Sequence, residues 1–178
     1  TFLFANGFAV GQSLCEKDMA DEAKNVMALA EQNNCTIILP DDQIGVREFK
    51  ENADHEIVAR GKMGDDQESI DVGPETITNI QNILQDAKTV LWNGPMGVFE
   101  MKPFDKGTNE VAQKVAELTK AGQVISVAGG GDTVAALENA GVAKDFTYIS
   151  TAGGAFLEWL EGKTLPSVAA LMTQAKAA

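Results

Sequence analysis

The chain has 178 residues, 26 of them acidic and 14 basic, and a net charge of −12 that argues against nucleic acid or an anionic membrane as partner. An apolar fraction of 44% is that of a folded chain, and the length corresponds to one domain of ordinary size. No apolar run approaches the ~20 residues that cross a bilayer, and Cys15 and Cys35 form no CxxC pair, so the expectation is a cytoplasmic protein without a disulfide framework.

The opening residues Thr1-Phe2-Leu3-Phe4-Ala5-Asn6-Gly7 read as the middle of an element, which predicts a fragment of a longer protein. From Asp18 to Asn33 the spacing of Met19, Ala23, Val26, Met27 and Ala30 predicts a helix. Thr36-Ile37-Ile38-Leu39, stopped by Pro40, predicts a buried strand, with Cys35 partly buried before it. Ile44–Phe49, Ile57–Arg60 and Ile70–Val72 alternate more weakly and read as short or edge strands. Pro74 opens a helix with Ile77, Ile80, Ile83 and Leu84 on one face. Thr89–Trp92 and Val124–Val127 read as buried strands, with a helix from about Thr108 to Ala121 between them that ends at Gly122. A helix over Thr133–Asn139, a strand over Phe146–Ser150 and a helix over Ala155–Glu161 complete the pattern. Apolar strands alternating with amphipathic helices predict an α/β fold, a doubly wound and mainly parallel sheet with helices on both faces (Rossmann-like), as one domain over residues 1–178.

In such sheets ligands bind beyond the carboxyl ends of the strands. Three loops there are rich in glycine: Asn93-Gly94-Pro95-Met96-Gly97-Val98-Phe99-Glu100, Ala128-Gly129-Gly130-Gly131-Asp132-Thr133 and Thr151-Ala152-Gly153-Gly154-Ala155. Glycines between a strand and a helix start leave backbone N–H groups free to approach a large anion, and the helix dipole adds positive potential. Asp132 beside such a site fits an anion that arrives with Mg²⁺, since Mg²⁺ takes one or two carboxylates together with phosphate oxygens and water. Thr133 can donate its hydroxyl to a phosphate oxygen, and Glu100 can accept from ribose hydroxyls. The plainer alternatives are that Asp132 or Thr133 only caps a helix and that Glu100 is a solvated loop carboxylate. The second loop is neither GxGxxG, because Val134 replaces the last glycine, nor a Walker A loop.

Leu91-Trp92-Asn93-Gly94-Pro95-Met96-Gly97-Val98-Phe99-Glu100 resembles a signature of the phosphoglycerate kinase family. So do Gly129-Gly130-Gly131-Asp132-Thr133 and Ile149-Ser150-Thr151-Ala152-Gly153-Gly154-Ala155-Phe156-Leu157-Glu158, in matching order and spacing, and Asp71-Val72-Gly73-Pro74 fits the preceding loop. The resemblance covers the chain to about Leu171 and implies the C-terminal, nucleotide-binding lobe. It lacks that lobe's first strand–helix segment and the whole N-terminal lobe, which carries 3-phosphoglycerate. The implied activity is phosphoryl transfer between 1,3-bisphosphoglycerate and MgADP, giving 3-phosphoglycerate and MgATP, in a monomeric glycolytic enzyme.

By the same resemblance, Asp132 ligates Mg²⁺ with the ADP or ATP phosphates, and Gly129, Gly130, Gly131 and Thr133 line those phosphates. Glu100 binds the ribose; Ile70, Pro95, Gly97 and Val98 form the adenine slot; Asn93, Gly153 and Gly154 stand near the transferring group. Ala152 departs from the family's three glycines, though an alanine retains its N–H. The family's lysines and the basic cluster of its other lobe are missing, and the three loops contain no Lys or Arg. An isolated MgADP/MgATP-binding module without activity therefore stands as the alternative. A dinucleotide-binding fold and a silent interaction domain are further readings. His55, the acidic pairs Asp41-Asp42 and Asp65-Asp66, and Glu68 read as solvated surface groups, while Trp92 and Trp159 read as core.

Overall fold

The computed structural model describes residues 1–150 and 153–175. Contacts divide the chain into two compact units: Thr1–Asp86 with Met96–Val111, and Ala87–Pro95 with the chain from Ala112 onward.

The first unit begins with a single-turn helix, α1 (Phe2–Ala5), followed by a 3-10 turn at Lys17–Met19 and by α2 (Ala20–Gln32). Thr36–Leu39, expected as a buried strand, pairs with no described strand. A strand exists only through a partner's N–H and C=O groups. Here the last carbonyls turn to a side chain instead: Arg60 donates from Nη2 to Leu39 O (2.8 Å) and from Nε to Pro40 O (2.7 Å). Ile38 is left 41% exposed, and Cys35 is exposed rather than partly buried.

Beyond it, β1 (Asp42–Val46), β2 (His55–Ala59) and β3 (Glu68–Val72) form an antiparallel sheet in the order β2-β1-β3. These are the weakly alternating segments. The eight residues between β1 and β2 are too few for a parallel crossover, which takes about a dozen. β1 changes register against β3 between Ile44 and Gly45, and a Cβ on Gly45 would stand 2.8 Å from Val58 Cγ2. Val46, Ala53, Ile70 and Phe104 make the core of this unit, with Ile44, Val98 and Met101 packed around them.

Helix α3 (Pro74–Asp86) starts at a proline, as expected, and its amino end is held by β1. The Asp42 carboxylate accepts N–H bonds from Thr76 (2.8 Å) and Glu75 (3.1 Å), while Thr76 Oγ1 accepts the N–H groups of Asp41 (2.9 Å) and Asp42 (3.0 Å). Asp42 is thus buried, not solvated, because it satisfies helix donors more than thirty residues away. Its neighbour Asp41 is half-buried against Arg60.

The second unit contains β4 (Thr89–Trp92), β5 (Ile125–Gly129) and β6 (Tyr148–Ser150) as a parallel sheet in that order. Pairs Trp92↔Ala128 and Gly129↔Ser150 bring the carboxyl ends of the strands side by side. Helix α4 (Lys106–Lys120) runs from the first unit into the second, and α5 (Gly131–Asn139) connects β5 towards β6. Val115, Ala116 and Leu118 of α4 and Ala136 and Leu137 of α5 are buried. They leave Trp92, Ser126 and Ala128 covered, and Trp92 meets the Phe146 ring edge-on at 6.3 Å.

The opposite face of that sheet differs from the buried strands expected. Leu91, Val127 and Tyr148 share it by register, with Ile125 two residues away, and Leu91, Ile125 and Tyr148 are 45%, 56% and 60% exposed. Two more helices follow, α6 (Gly153–Leu160) and α7 (Pro166–Ala175), the second unforeseen in the sequence. Trp159, expected in the core, is 59% exposed. No helix among the described residues is long and apolar enough to cross a membrane.

Candidate functional site

In the second unit, the loops after β4 and β5 meet. Gly130 is the N-cap of α5, with φ 99° and ψ 144°, a backbone that glycine adopts without the penalty a Cβ brings. A Cβ there would sit 3.5 Å from Thr133 Oγ1 and 3.6 Å from Asn93 Oδ1, so the Asn93 amide lies against the glycine turn. Gly94 bridges the two loops. Its N–H donates to Thr133 Oγ1 (2.7 Å), and its carbonyl accepts from Trp92 Nε1 (2.6 Å).

Thr133 is buried, and its hydroxyl oxygen accepts the N–H of Gly94. Gly129 is buried where β5 pairs with β6, and Gly131 faces open space. Since Gly130 has no side chain, no side-chain hydrogen bond caps α5 among the described residues, and the N–H groups of a helix's first turn are the kind that receive an anion. Asp132 stands exposed in that first turn, beside the positive end of the helix. Thr151 and Ala152 lie outside the described residues; Gly153 opens α6, and Gly154 has no heavy atom near its Cβ position.

Among the described residues no cluster of three His, Cys, Asp or Glu could hold a metal. Asp132 alone does not make a free-standing metal site. A single exposed carboxylate at a helix start does fit Mg²⁺ delivered with phosphate oxygens.

In the first unit, the segment from Met96 to Gly107 is held at both ends. Thr108 Oγ1, fully buried, accepts the N–H groups of Met96 (3.0 Å) and Gly97 (3.3 Å), and Val98 N–H donates to Ile70 O (2.9 Å). The Asp71 carboxylate accepts N–H bonds from Gly107 (2.9 Å) and Val72 (2.8 Å). Both glycines are demanded by contact, since a Cβ on Gly97 or Gly107 would fall 2.3 Å or 2.4 Å from Asp71 Oδ1. Glu100 projects exposed from this segment, Pro95 and Gly97 are half-buried, and Val98 packs on the core cluster that contains Ile70.

Burial pushes the Asp71 carboxyl up to about 6, with the like charges of Asp105 and Glu110 adding to the shift and the two N–H bonds opposing it. Sequence reasoning passed over Asp71 and Thr108 as functional residues. An acid inside the apolar run Ile70-Asp71-Val72 was the available signal for the first. His55, exposed and edge-on to Phe104 at 5.5 Å, joins neither set.

The sequence profile of the family described as "Phosphoglycerate kinase" matches residues 1–163. The phosphoglycerate kinase of Methylorubrum extorquens (strain PA1) is 58% identical over 174 residues, covering 98% of this chain. That of Rhodospirillum centenum is 60% identical over 171 residues, 96% of this chain. The chain spans 44% and 43% of the length of these two relatives. Among solved structures, phosphoglycerate kinase from Coxiella burnetii superposes with a TM-score of 0.91 at 40% identity, covering 99% of this chain and 44% of its own. The Pyrococcus horikoshii protein superposes with a TM-score of 0.79 at 28% identity, covering 98% of this chain and 43% of its own. With the profile match spanning most of the chain and relatives near 60% identity, the chain belongs to the phosphoglycerate kinase family.

Proposed function

We propose that the chain supplies the nucleotide site of a cytoplasmic, glycolytic kinase that moves a phosphoryl group between 1,3-bisphosphoglycerate and MgADP. In the forward direction the acyl C–O–P linkage breaks at phosphorus and a P–O bond forms to the terminal oxygen of ADP. The products are the carboxylate of 3-phosphoglycerate and MgATP. The observation that carries this reading is the uncapped start of α5 at Gly130, with Asn93 against it and Asp132 in its first turn.

The N–H groups from Gly130 to Thr133 would receive the nucleotide phosphates, whose equatorial charge in the transition state requires fixed donors. Asp132 would hold the nucleotide's Mg²⁺, which when bound neutralises phosphate charge. Asn93, with the N–H groups of Gly153 and Gly154, would orient the transferring group. Glu100 would accept from the ribose, with Pro95, Gly97, Val98 and Ile70 flanking the adenine. The 3-phosphoglycerate would come from a lobe outside this chain. Calorimetric titration of the 178-residue chain with MgADP tests the reading. Saturable binding that EDTA removes is the expected outcome, and absence of binding overturns the site in this chain.

A second reading, binding without turnover, is favoured by one observation. Residues 93–100, 128–133 and 151–155 contain no Lys or Arg to stabilise charge on a transferring phosphoryl group. Assay of the chain alone against a full-length relative separates the two.

A further inference from the structure

We propose that Asp71 is a positioning residue: it fixes the segment carrying Glu100 and so sets nucleotide affinity without touching the nucleotide. The inference rests on the nucleotide reading above and concerns the first unit alone.

Consecutive residues of β3 grip both ends of one stretch of chain. Ile70 O holds the N–H of Val98, and the Asp71 carboxylate holds the N–H of Gly107, so Phe99 to Lys106 lies between two fixed points. The segment is built around the carboxylate. Gly97 and Gly107, which flank it, approach Asp71 Oδ1 closely enough that any side chain would collide with it.

Asp71 is 3% exposed; its hydrogen-bond partners are backbone N–H groups, and Asp105 and Glu110 add like charge. A buried carboxylate in that company opposes folding, and an apolar side chain would fill the volume at less cost. Only an acid offers two acceptor oxygens, one to its own strand at Val72 and one to the first turn of α4 at Gly107. The arrangement therefore serves the placement of the segment, and Glu100 is its exposed carboxylate.

The test compares wild type with Asp71→Asn in the 178-residue chain, using MgADP and magnesium pyrophosphate as probes. Pyrophosphate lacks the ribose that Glu100 would hold, so its affinity reports the phosphate loop alone. In the variant the MgADP dissociation constant should rise about tenfold, the worth of one charge-assisted hydrogen bond, with pyrophosphate binding unchanged. Glu100→Gln should weaken MgADP binding in wild type and add little in the Asp71→Asn background, because the carboxylate is already displaced. Unchanged MgADP affinity, equal loss for both probes, or additive effects of the two substitutions would each overturn the proposal.

If the wild-type chain binds neither probe, the nucleotide reading fails for this chain and amide exchange decides the positioning. Exchange at Val98 and Gly107 accelerated in Asp71→Asn supports it, and unchanged exchange overturns it. Should Asp71→Asn not fold, Gly107→Ala drives a methyl group against the same carboxylate and must give the same pattern.

Discussion

Replacing Asp42 by alanine removes the acceptor that closes the amino end of α3. The carboxylate is 4% exposed and takes the N–H of Thr76 at 2.8 Å and that of Glu75 at 3.1 Å. The Thr76 group is buried, so its loss leaves an unsatisfied donor worth about 2 kcal/mol. Glu75 stands where water can replace the bond, and loss of the cap and its negative charge there adds about 1 kcal/mol. The sum is about 3 kcal/mol for Asp42→Ala; Asp42→Asn retains one acceptor oxygen and should lose about 1 kcal/mol. Urea unfolding followed by far-ultraviolet circular dichroism reads both. At a slope of about 2 kcal/mol per molar, the alanine midpoint should fall by about 1.5 M. An alanine variant within about 0.5 kcal/mol of wild type, the range of an ordinary surface substitution, would refute the assignment of Asp42 as the cap.

Other outcomes follow from the two sites. Gly130→Ala forces a Cβ into positive φ at the start of α5, a strain of about 1 kcal/mol that should appear in the unfolding midpoint together with weakened MgADP binding. Asp132→Ala should make nucleotide binding insensitive to EDTA; calorimetry with and without Mg²⁺ that still shows a difference would remove Asp132 from the metal. Asp71, raised from the ordinary 3.8 to about 6 in the folded chain, binds its proton more tightly there than when unfolded. Stability from that proton is fully present below about pH 3.8 and lost as pH rises through about 6, to a total of about 3 kcal/mol at about 1.4 kcal/mol per pH unit. The stability difference between wild type and Asp71→Asn, measured by urea unfolding from pH 4 to pH 7, should therefore move against wild type as pH rises.

Elements whose stability is local were legible in the sequence. Helices α3 and α4 follow from Ile77 and from Val111, Val115 and Leu118 at helical spacing, with Pro74 and Gly122 at their ends. The β4–α4–β5–α5–β6 succession follows the alternation of apolar runs and amphipathic stretches. What depends on distant partners was not legible. Thr36–Leu39 has the composition of a strand, but a strand is made by a neighbour, and among the described residues it has none. Asp42 looked like one of two solvated acids because its partners, Glu75 and Thr76, come thirty residues later.

The candidate site divides the same way. Glycines, Asp132 and Asn93 are recognisable by type and spacing, and the structure places Asn93 against Gly130 in the second unit. Thr108, holding Met96 and Gly97, has no sequence signature because threonines at helix starts are common. Ile70 is buried in one cluster with Phe104, and Val98 packs against that cluster, a grouping of distant residues that spacing in the sequence does not show.

The first unit is discontinuous in the chain, and this imposes an order of events during synthesis. Its sheet is complete once Val72 has been made, yet Phe104 and Gly107 belong to a second passage of the chain. Thirty-five residues separate Val72 from Gly107, which at about 5–20 residues per second is a wait of roughly 2–7 s. Throughout that interval Val46, Ala53 and Ile70 have no Phe104 to cover them, and Asp71 has no Gly107 N–H to accept. A nascent chain paused between these points presents an unfinished apolar surface around a carboxylate, a natural moment for capture by a chaperone or by another nascent copy.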